Sequence, residues 1–378
     1  MTDGTDFAER RLSRDELLRL AAATGGAGLL AGLTAGRAAG AGAALDRLTG
    51  ESGRLQVLDW SGYEVKPLWA PYARQFPKEP PQFTFMTNEA NALAKLNAGL
   101  RPDIVRPYVG YVKEFSDSGF FQPWDPAKIP NLKQLNPVMV KAGQIGGKQW
   151  GIPEDWGFDA ILYRSDKVQP RARSWSLLFD ERYAGKIAWF DDLNQLVWAG
   201  YYLGFKKPYD QSDAELKQSQ KLLISKKKLV RMFWSSETDM QAAFASGDLW
   251  IAYAWPADWA AMRAKKLKVV YMQPKEGSLS WIGMLMLGKG TKRPEHAHAY
   301  ANSWSSRSVG SWLEDNYAYG HSNTLARPKS KDLLTALQLT NPRAVQEPNA
   351  HIDRYVPRRR IYARMWEEIG RASCRERV

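Results

Sequence analysis

The sequence predicts an α/β protein of two lobes, and three observations carry that prediction. Short apolar runs of strand type alternate with stretches of helical spacing between residues 55 and 316, the pattern of βαβ units around a largely parallel sheet. The chain has 378 residues, too many for one small core and suited to two lobes of roughly 150 residues. Its composition, 44% hydrophobic and 25% charged, is that of an ordinary globular protein and excludes disorder, coiled coil and collagen. No run of about 18 apolar residues follows residue 45, so no membrane-spanning helix is expected in the body.

The elements follow in order. Residues 55–58 form a short apolar strand, and Trp60-Ser61-Gly62-Tyr63 is a turn that opens a helix through about Phe76. Residues 83–85 read as a second strand. Residues 88–98 carry Ala90, Leu93, Ala94 and Leu96 at helical spacing, closed by Gly99. Residues 103–106 are strand-like and broken by Pro107, and 123–137 is an irregular, Pro-rich stretch. Residues 161–163, 186–190, 229–233, 249–254 and 269–272 read as strands, with helices over 193–203, 213–224 and 238–245. A last apolar strand covers 281–287. Helices follow over 294–303, with Pro294 in its first turn, and over 309–316. No repeat of 20 to 50 residues is visible.

The two ends stand apart from this pattern. Arg10, Arg11 and Arg14 precede a short Ala- and Gly-rich apolar stretch at 17–33, and 38–44 offers small-residue cleavage sites, so residues 1–45 read as an export signal. The run RRLSRDELLRL resembles a twin-arginine signal, and no Cys follows the apolar stretch, so lipid anchoring through an N-terminal cysteine is not expected. Residues 368–378 (EIGRASCRERV) carry no apolar period and read as the in-frame translation of a sequencing adapter, an assembly artefact. They hold Cys374, the one cysteine, and a single cysteine excludes an intramolecular disulfide and any multi-Cys metal site.

Charge narrows the function. Residues 1–45 hold five basic and five acidic residues, and 368–378 hold three Arg and two Glu, so residues 46–367 carry +12 of the chain's formal +13. Lys226–Lys228, Lys265, Lys266, Lys268 and Arg358–Arg360 are the visible clusters. Nucleic-acid binding needs basic and aromatic residues interleaved on a recognisable module, and none is present; a solvated basic surface is the reading adopted. Catalysis fares no better. His296 and His298 fall on a helix predicted to lie at the surface, two residues apart and hence on different faces, a poor metal pair. No nucleophile elbow, HExxH or P-loop occurs, and the adjacent Asp191 and Asp192 do not fix the separation glycosidase carboxylates need.

A cleft for a small flexible molecule needs apolar walls and a few orienting polar groups, and the C-terminal ends of parallel strands are placed to supply them. Trp60, Ser61 and Tyr63 follow the first strand, Tyr108 and Tyr111 the third, Trp255 and Asp258 a later one, and Trp281 begins another. These strand-end residues are read as site, whereas Trp124, Trp175 and Trp304 are read as core.

Ten segments then occur in a telling order: WSGY at 60–63, NEANALAKLNAG at 88–99, PDIVRPYVGYV at 102–112, GFFQPWDPAKIPNL at 119–132, KQWGIPEDWG at 148–157, SWSLLFDERYAGKIAWFDD at 174–192, ASGDLWIAYAW at 245–255, PKEGSLSW at 274–281, KGTKRPEHAHAYANSW at 289–304 and YGHSNTLAR at 319–327. The series resembles the solute-binding proteins of bacterial ABC importers, closest to the spermidine/putrescine-binding branch, over about residues 55–330. The resemblance implies a two-lobed periplasmic-binding-protein fold of type II, with one lobe from 50–158 plus 279–323 and the other from 159–278 plus 324–367. Crossover strands join the lobes, and a ligand is trapped as they close into a shape a membrane permease recognises. It also implies an exported periplasmic or extracellular monomer without cofactor, metal or catalysis.

By the same resemblance, Trp60, Tyr63, Trp255 and Trp281 line the ligand channel, where stacking over an amine is worth about 0.5–2 kcal/mol each. Trp156 joins these walls, while Ser61, Tyr108, Tyr111 and Gln195 add hydrogen bonds. Polyamine binders grip terminal ammonium groups with carboxylates, since a buried ammonium needs a paired charge. Asp258 matches one such acid. Two others correspond to Gly283 and Gln195 here, and a third to the 108–110 stretch; Glu154, Asp155 and Asp159, flanking Trp156, are the candidate replacements. The expected ligand is therefore a polyamine or related amine-bearing molecule. An aminophosphonate, an amino-acid derivative or a sugar is the alternative, and a secreted hydrolase a remote one.

Overall fold

The computed structural model describes residues 51–330 and 350–375, with side chains through Gly370; the predicted export signal lies outside the described residues. Strands β1 (Gln56–Trp60), β2 (Gln82–Met86) and β3 (Ile104–Val105) are mutually parallel, with β1 in the middle. A short β4 (Phe121–Gln122) and the hairpin β5 (Gln144–Ile145) and β6 (Lys148–Gln149) precede β7 (Gly151–Arg164), a strand of 14 residues. The parallel set β8 (Ile187–Phe190), β9 (Val230–Trp234) and β10 (Ile251–Ala254) comes next, followed by β11 (Val269–Met272), β12 (Ser278–Gly288), β13 (Gly320–His321) and β14 (Ala350–Ile352). The pairing runs β2-β1-β3-β12-β7-β10-β8-β9. Two parallel half-sheets thus flank one long antiparallel pair, β7 and β12, and the helices between parallel strands are the crossovers that parallel pairing demands.

The expected helices form with recognisable ends. Asn88 caps Glu89–Asn97 by accepting the Asn91 N–H, and Ser212 with Glu215 closes a capping box on Asp213–Lys226. Pro256–Ala264 is the helix expected between the strands at 249–254 and 269–272, while Val112–Asp117, Pro137–Ala142 and Arg359–Arg375 are helices in regions not predicted as helical. The last runs into the segment read as an adapter translation: Ile369 is fully buried, and Lys227 donates to the Ile369 and Gly370 carbonyls.

β7 is much longer than the 161–163 predicted for it. Pro153, the Glu154–Asp155 pair and Gly157 hide the apolar pattern, yet its first twelve residues are buried, as is all of β12. Ile282 pairs with Trp156 and Met284 with Pro153, so Glu154 and Asp155 together oppose Gly283. This two-against-one arrangement is a β-bulge. Past the bulge β7 pairs with β12 as far as Asp159, and from Ala160 onward it pairs with β10 and β11, carrying the chain from one half to the other.

The core divides accordingly. One cluster gathers Ala160 through Leu279 with Tyr362, Trp366 and Ile369; two others gather Leu55 through Phe158 with Ile282 through Leu313. Thr324, Arg327 and Lys329 donate their backbone N–H groups to Gln134, Ser311 and Asp315, so residues 324–329 belong with the β1 half and not with the β8 half expected from residue 324 onward. The helix Pro294–Trp304 corrects a second expectation. It is not a surface helix: His296 is fully buried against Phe76, with ring centroids 3.9 Å apart, and His298 lies edge-on to Trp124. Trp124, Trp175 and Trp304 are core residues, as read from the sequence.

Candidate ligand-binding site

The β1 half presents a continuous run of rings. Trp60, at the end of β1, stacks on Tyr108 with centroids 5.2 Å apart, and Tyr108 meets Trp281 at 5.5 Å. Trp281 meets Tyr319 edge-on at 4.8 Å, and Tyr317 links Tyr319 to Tyr63. Backbone geometry explains why Trp281 sits there. It pairs with Gly157 on β7, and a β-carbon at Gly157 would overlap its indole, so glycine is what makes room for the ring. Alternation along the strand then sets Asp155, Gly157 and Asp159 on one face, with Trp156 and Phe158 on the other.

Beside these rings lies a buried ion cluster. Arg106, fully buried just past β3, donates to Asp59 at 3.0 Å and to Asp155 at 3.4 Å, and its guanidinium lies 3.8 Å over the Trp304 ring. The Tyr63 hydroxyl donates to Asp155 at 2.5 Å, and the Trp60 indole N–H to the Arg106 carbonyl at 3.0 Å. Burial raises Asp59 to about 6 even against the pull of Arg106. The Asp155 carboxylate fills the space beside Gly283, where a β-carbon would overlap its Oδ1. An acid therefore does stand at the place implied for one, but it arrives from β7 and is already paired.

The β8 half supplies a second wall and more acids. Trp255 packs against Phe190 at 5.2 Å and Trp234 at 5.0 Å. Asp258, fully buried, accepts the Trp255 backbone N–H and the Gln241 amide, each at 2.8 Å; burial, then Glu237, pushes its carboxyl well up. Asp159 is likewise pushed up by burial and by Asp353, and Asp353 itself rises to about 7, mainly by burial. Tyr319 stands between the two groups. Burial raises its phenol first, followed by the charges of Glu237, Asp258 and Asp155 from both sides.

The remaining predicted residues are placed differently. Trp156 sits in the β1-half core and donates its indole N–H to the His321 carbonyl. Glu154 faces Ser305 and His321 in the same interior. Gln195 is fully buried in the β8-half core, where its side-chain oxygen accepts the Trp198 indole N–H at 2.7 Å. Ser61 is exposed at the turn after β1, and the Tyr111 ring is covered by Arg359, 3.6 Å from its centroid.

Sequence reasoning missed Arg106, Tyr319, Glu237, Asp353 and Arg359. The strand-end rule that selected Tyr108 reaches Arg106 equally well, and the period of β7 separates Asp155 and Asp159 from Trp156. Asp353 and Arg359 gave no local signal. As chemistry, the arrangement is a set of aromatic faces with buried carboxyls that lack sufficient positive charge, and a cationic group entering among them would favour their ionised form. Among the described residues, no group of three or more His, Cys, Asp or Glu is placed to hold a metal ion.

Comparison with known proteins gives three concordant findings. The sequence profile of the bacterial extracellular solute-binding proteins matches residues 82–311. The putrescine-binding periplasmic protein SpuD of Pseudomonas aeruginosa is 28% identical over 321 residues, covering 79% of this chain and 85% of that protein, and the putrescine-binding periplasmic protein PotF of Escherichia coli is 27% identical over 304 residues, covering 74% and 81%. The Tp0655 (TpPotD) lipoprotein of Treponema pallidum has the same two-lobed fold, with a TM-score of 0.72 at 19% identity over 83% of this chain and 98% of that one.

Proposed function

This chain belongs to the family of bacterial extracellular solute-binding proteins, and from that membership we propose that it is the exported substrate-binding component of an ABC importer for a polyamine or a related amine-bearing small molecule. Proteins of this family bind solutes and are not enzymes. In this reading the two lobes close on the ligand and present it to a membrane permease. Trp60, Tyr63, Tyr108, Trp281 and Tyr319 form one wall and Trp255 the other, with Asp258, Asp159 and Asp353 as carboxylate anchors.

The observation that carries the proposal is the excess of buried carboxyl groups between those walls. Burial raises Asp258 and Asp159, and the neighbouring charges of Glu237 and Asp353 raise them further. Burial disfavours the charged form of each carboxyl, and an ammonium group bound beside these acids would favour it. The names of the polyamine-binding relatives point the same way. The single-charge alternative, an amino-acid derivative, draws support from Arg106, which already neutralises Asp155.

A thermal-shift panel of polyamines, monoamines, amino acids, aminophosphonates and sugars tests the assignment, because ligand raises the melting temperature by mass action. Stabilisation by amines is the expected result. Stabilisation by sugars alone overturns the amine reading, and turnover of any compound overturns the binding-protein reading.

A further inference from the structure

The C-terminal helix opens on Arg358, Arg359 and Arg360, with no acidic residue in its first turn. A cation at a helix N-terminus opposes the macrodipole, so its surroundings must hold it there. Arg358 is held by the β8 half, donating to the Gln211 carbonyl and pairing with Asp213. The same half anchors the rest of the helix, where Tyr362 donates to the Pro208 carbonyl and Trp366 to Asp191. Arg359, the very next residue, points the other way and crosses to the β1 half.

There its guanidinium lies 3.6 Å over the ring of Tyr111, closer than the other arginine–ring contacts described here, and its Nε lies 3.6 Å from Glu114 Oε2. That Nε–Oε2 separation is beyond hydrogen-bonding range, so the ring face and the surrounding charge fix the group. Glu89, whose carboxylate accepts the Tyr108 backbone N–H at 3.1 Å, Asp192 and Asp353 all lie within the reach of its charge, which counteracts their upward shifts. Arg359 thus lies on the Tyr111 ring, with acids from both halves within reach of its charge.

We infer that Arg359 is a specificity-determining residue, a built-in cation that occupies one ammonium position of the cleft and makes the site discriminate against multiply charged amines. The inference rests on the amine reading above. At an effective dielectric constant near 20 the repulsion between like charges rises as they approach, so a second ammonium close to Arg359 is expected to cost about tenfold or more in affinity. Each further ammonium on the ligand adds to that penalty.

The test is a calorimetric titration of the whole chain with n-butylamine, putrescine and spermidine, which carry one, two and three positive charges. Arg359→Gln is expected to tighten putrescine at least tenfold relative to n-butylamine and spermidine by more, whereas Arg359→Lys keeps the wild-type ratios. Arg359→Met serves as a second neutral variant if the glutamine fails to fold by circular dichroism. A wild-type ratio retained in the neutral variants overturns the inference while leaving the amine reading intact. A uniform loss across all three amines also overturns it, since a simple latch between the halves behaves that way. If no amine binds the wild type or the variants, the amine reading and this inference fall together.

Discussion

Gly283 and Asp155 occupy one site between them: the carboxylate of Asp155 fills the space a side chain at position 283 would need. The bulge on β7 brings this about by setting two residues against one, and Arg106 and Tyr63 hold the displaced carboxylate. An acid at 283 and an acid at 155 are therefore mutually exclusive.

Gly283→Asp should destabilise the protein by about 3 kcal/mol, combining overpacking with a second buried carboxylate beside the first. Asp155→Gly alone should also destabilise, because Arg106 then keeps only Asp59. The Asp155→Gly/Gly283→Asp double variant should recover part of both losses. Thermal melts of the three proteins check this, and strictly additive losses would show that the two positions do not exchange roles.

Tryptophans in the wall and in the core should separate cleanly. Trp255→Ala should weaken amine binding by about tenfold, the loss of one cation–π face. Trp156→Ala should instead cost about 3–5 kcal/mol of stability and leave the order of preference among ligands unchanged. Denaturant melts paired with titrations distinguish the two outcomes.

Gly157→Ala places a β-carbon into the indole of Trp281. We expect a destabilisation of about 1–3 kcal/mol together with weaker amine binding, because the displaced ring breaks the Tyr108–Trp281–Tyr319 contacts. Intrinsic fluorescence would report the moved indole. Unchanged affinity would detach Trp281 from the ligand.

Affinity should rise with pH. Glu89 and Asp353 carry folded-state values of about 7 against ordinary values of 4.5 and 3.8, so between roughly pH 4 and 7 the folded protein holds protons that the unfolded chain has lost. Their contribution to stability therefore falls as pH rises through that window and is constant above it. His321 works oppositely: burial lowers it from 6.5 to about 3, which costs stability as pH falls below 6.5. Ligand affinity is thus the cleaner readout. An ammonium needs the carboxylates ionised, so binding should strengthen from pH 5 to 8 and release protons at pH 6, measurable by calorimetry in buffers of different ionisation enthalpy. A flat profile would exclude these acids from the site.

The sequence made the β1 half legible because its strands are short, apolar and followed at once by their site residues, as with Trp60 and Tyr108. It hid β7 because a bulge, a proline and two acids break the alternation that marks a strand. Nothing local to Arg106 announces Asp59 and Asp155, which reach it only in the folded chain. His296 and His298 read as surface residues because a polar type was taken for exposure, whereas tertiary packing on Phe76 and Trp124 decided their place. Gln195 was aligned with an acid of the site and instead satisfies the buried indole of Trp198. Asp353 and Arg359 belong to a segment more than 60 residues beyond β12, and only the folded chain returns it to the cleft.

Because the bulge lies on the strand that passes from one half to the other, ligand chemistry and opening mechanics share the same three residues. Moving an acid from 155 to 283 would therefore also remake the bulge. In the proposed importer, such a substitution would change ligand preference and the rates of opening and closing together.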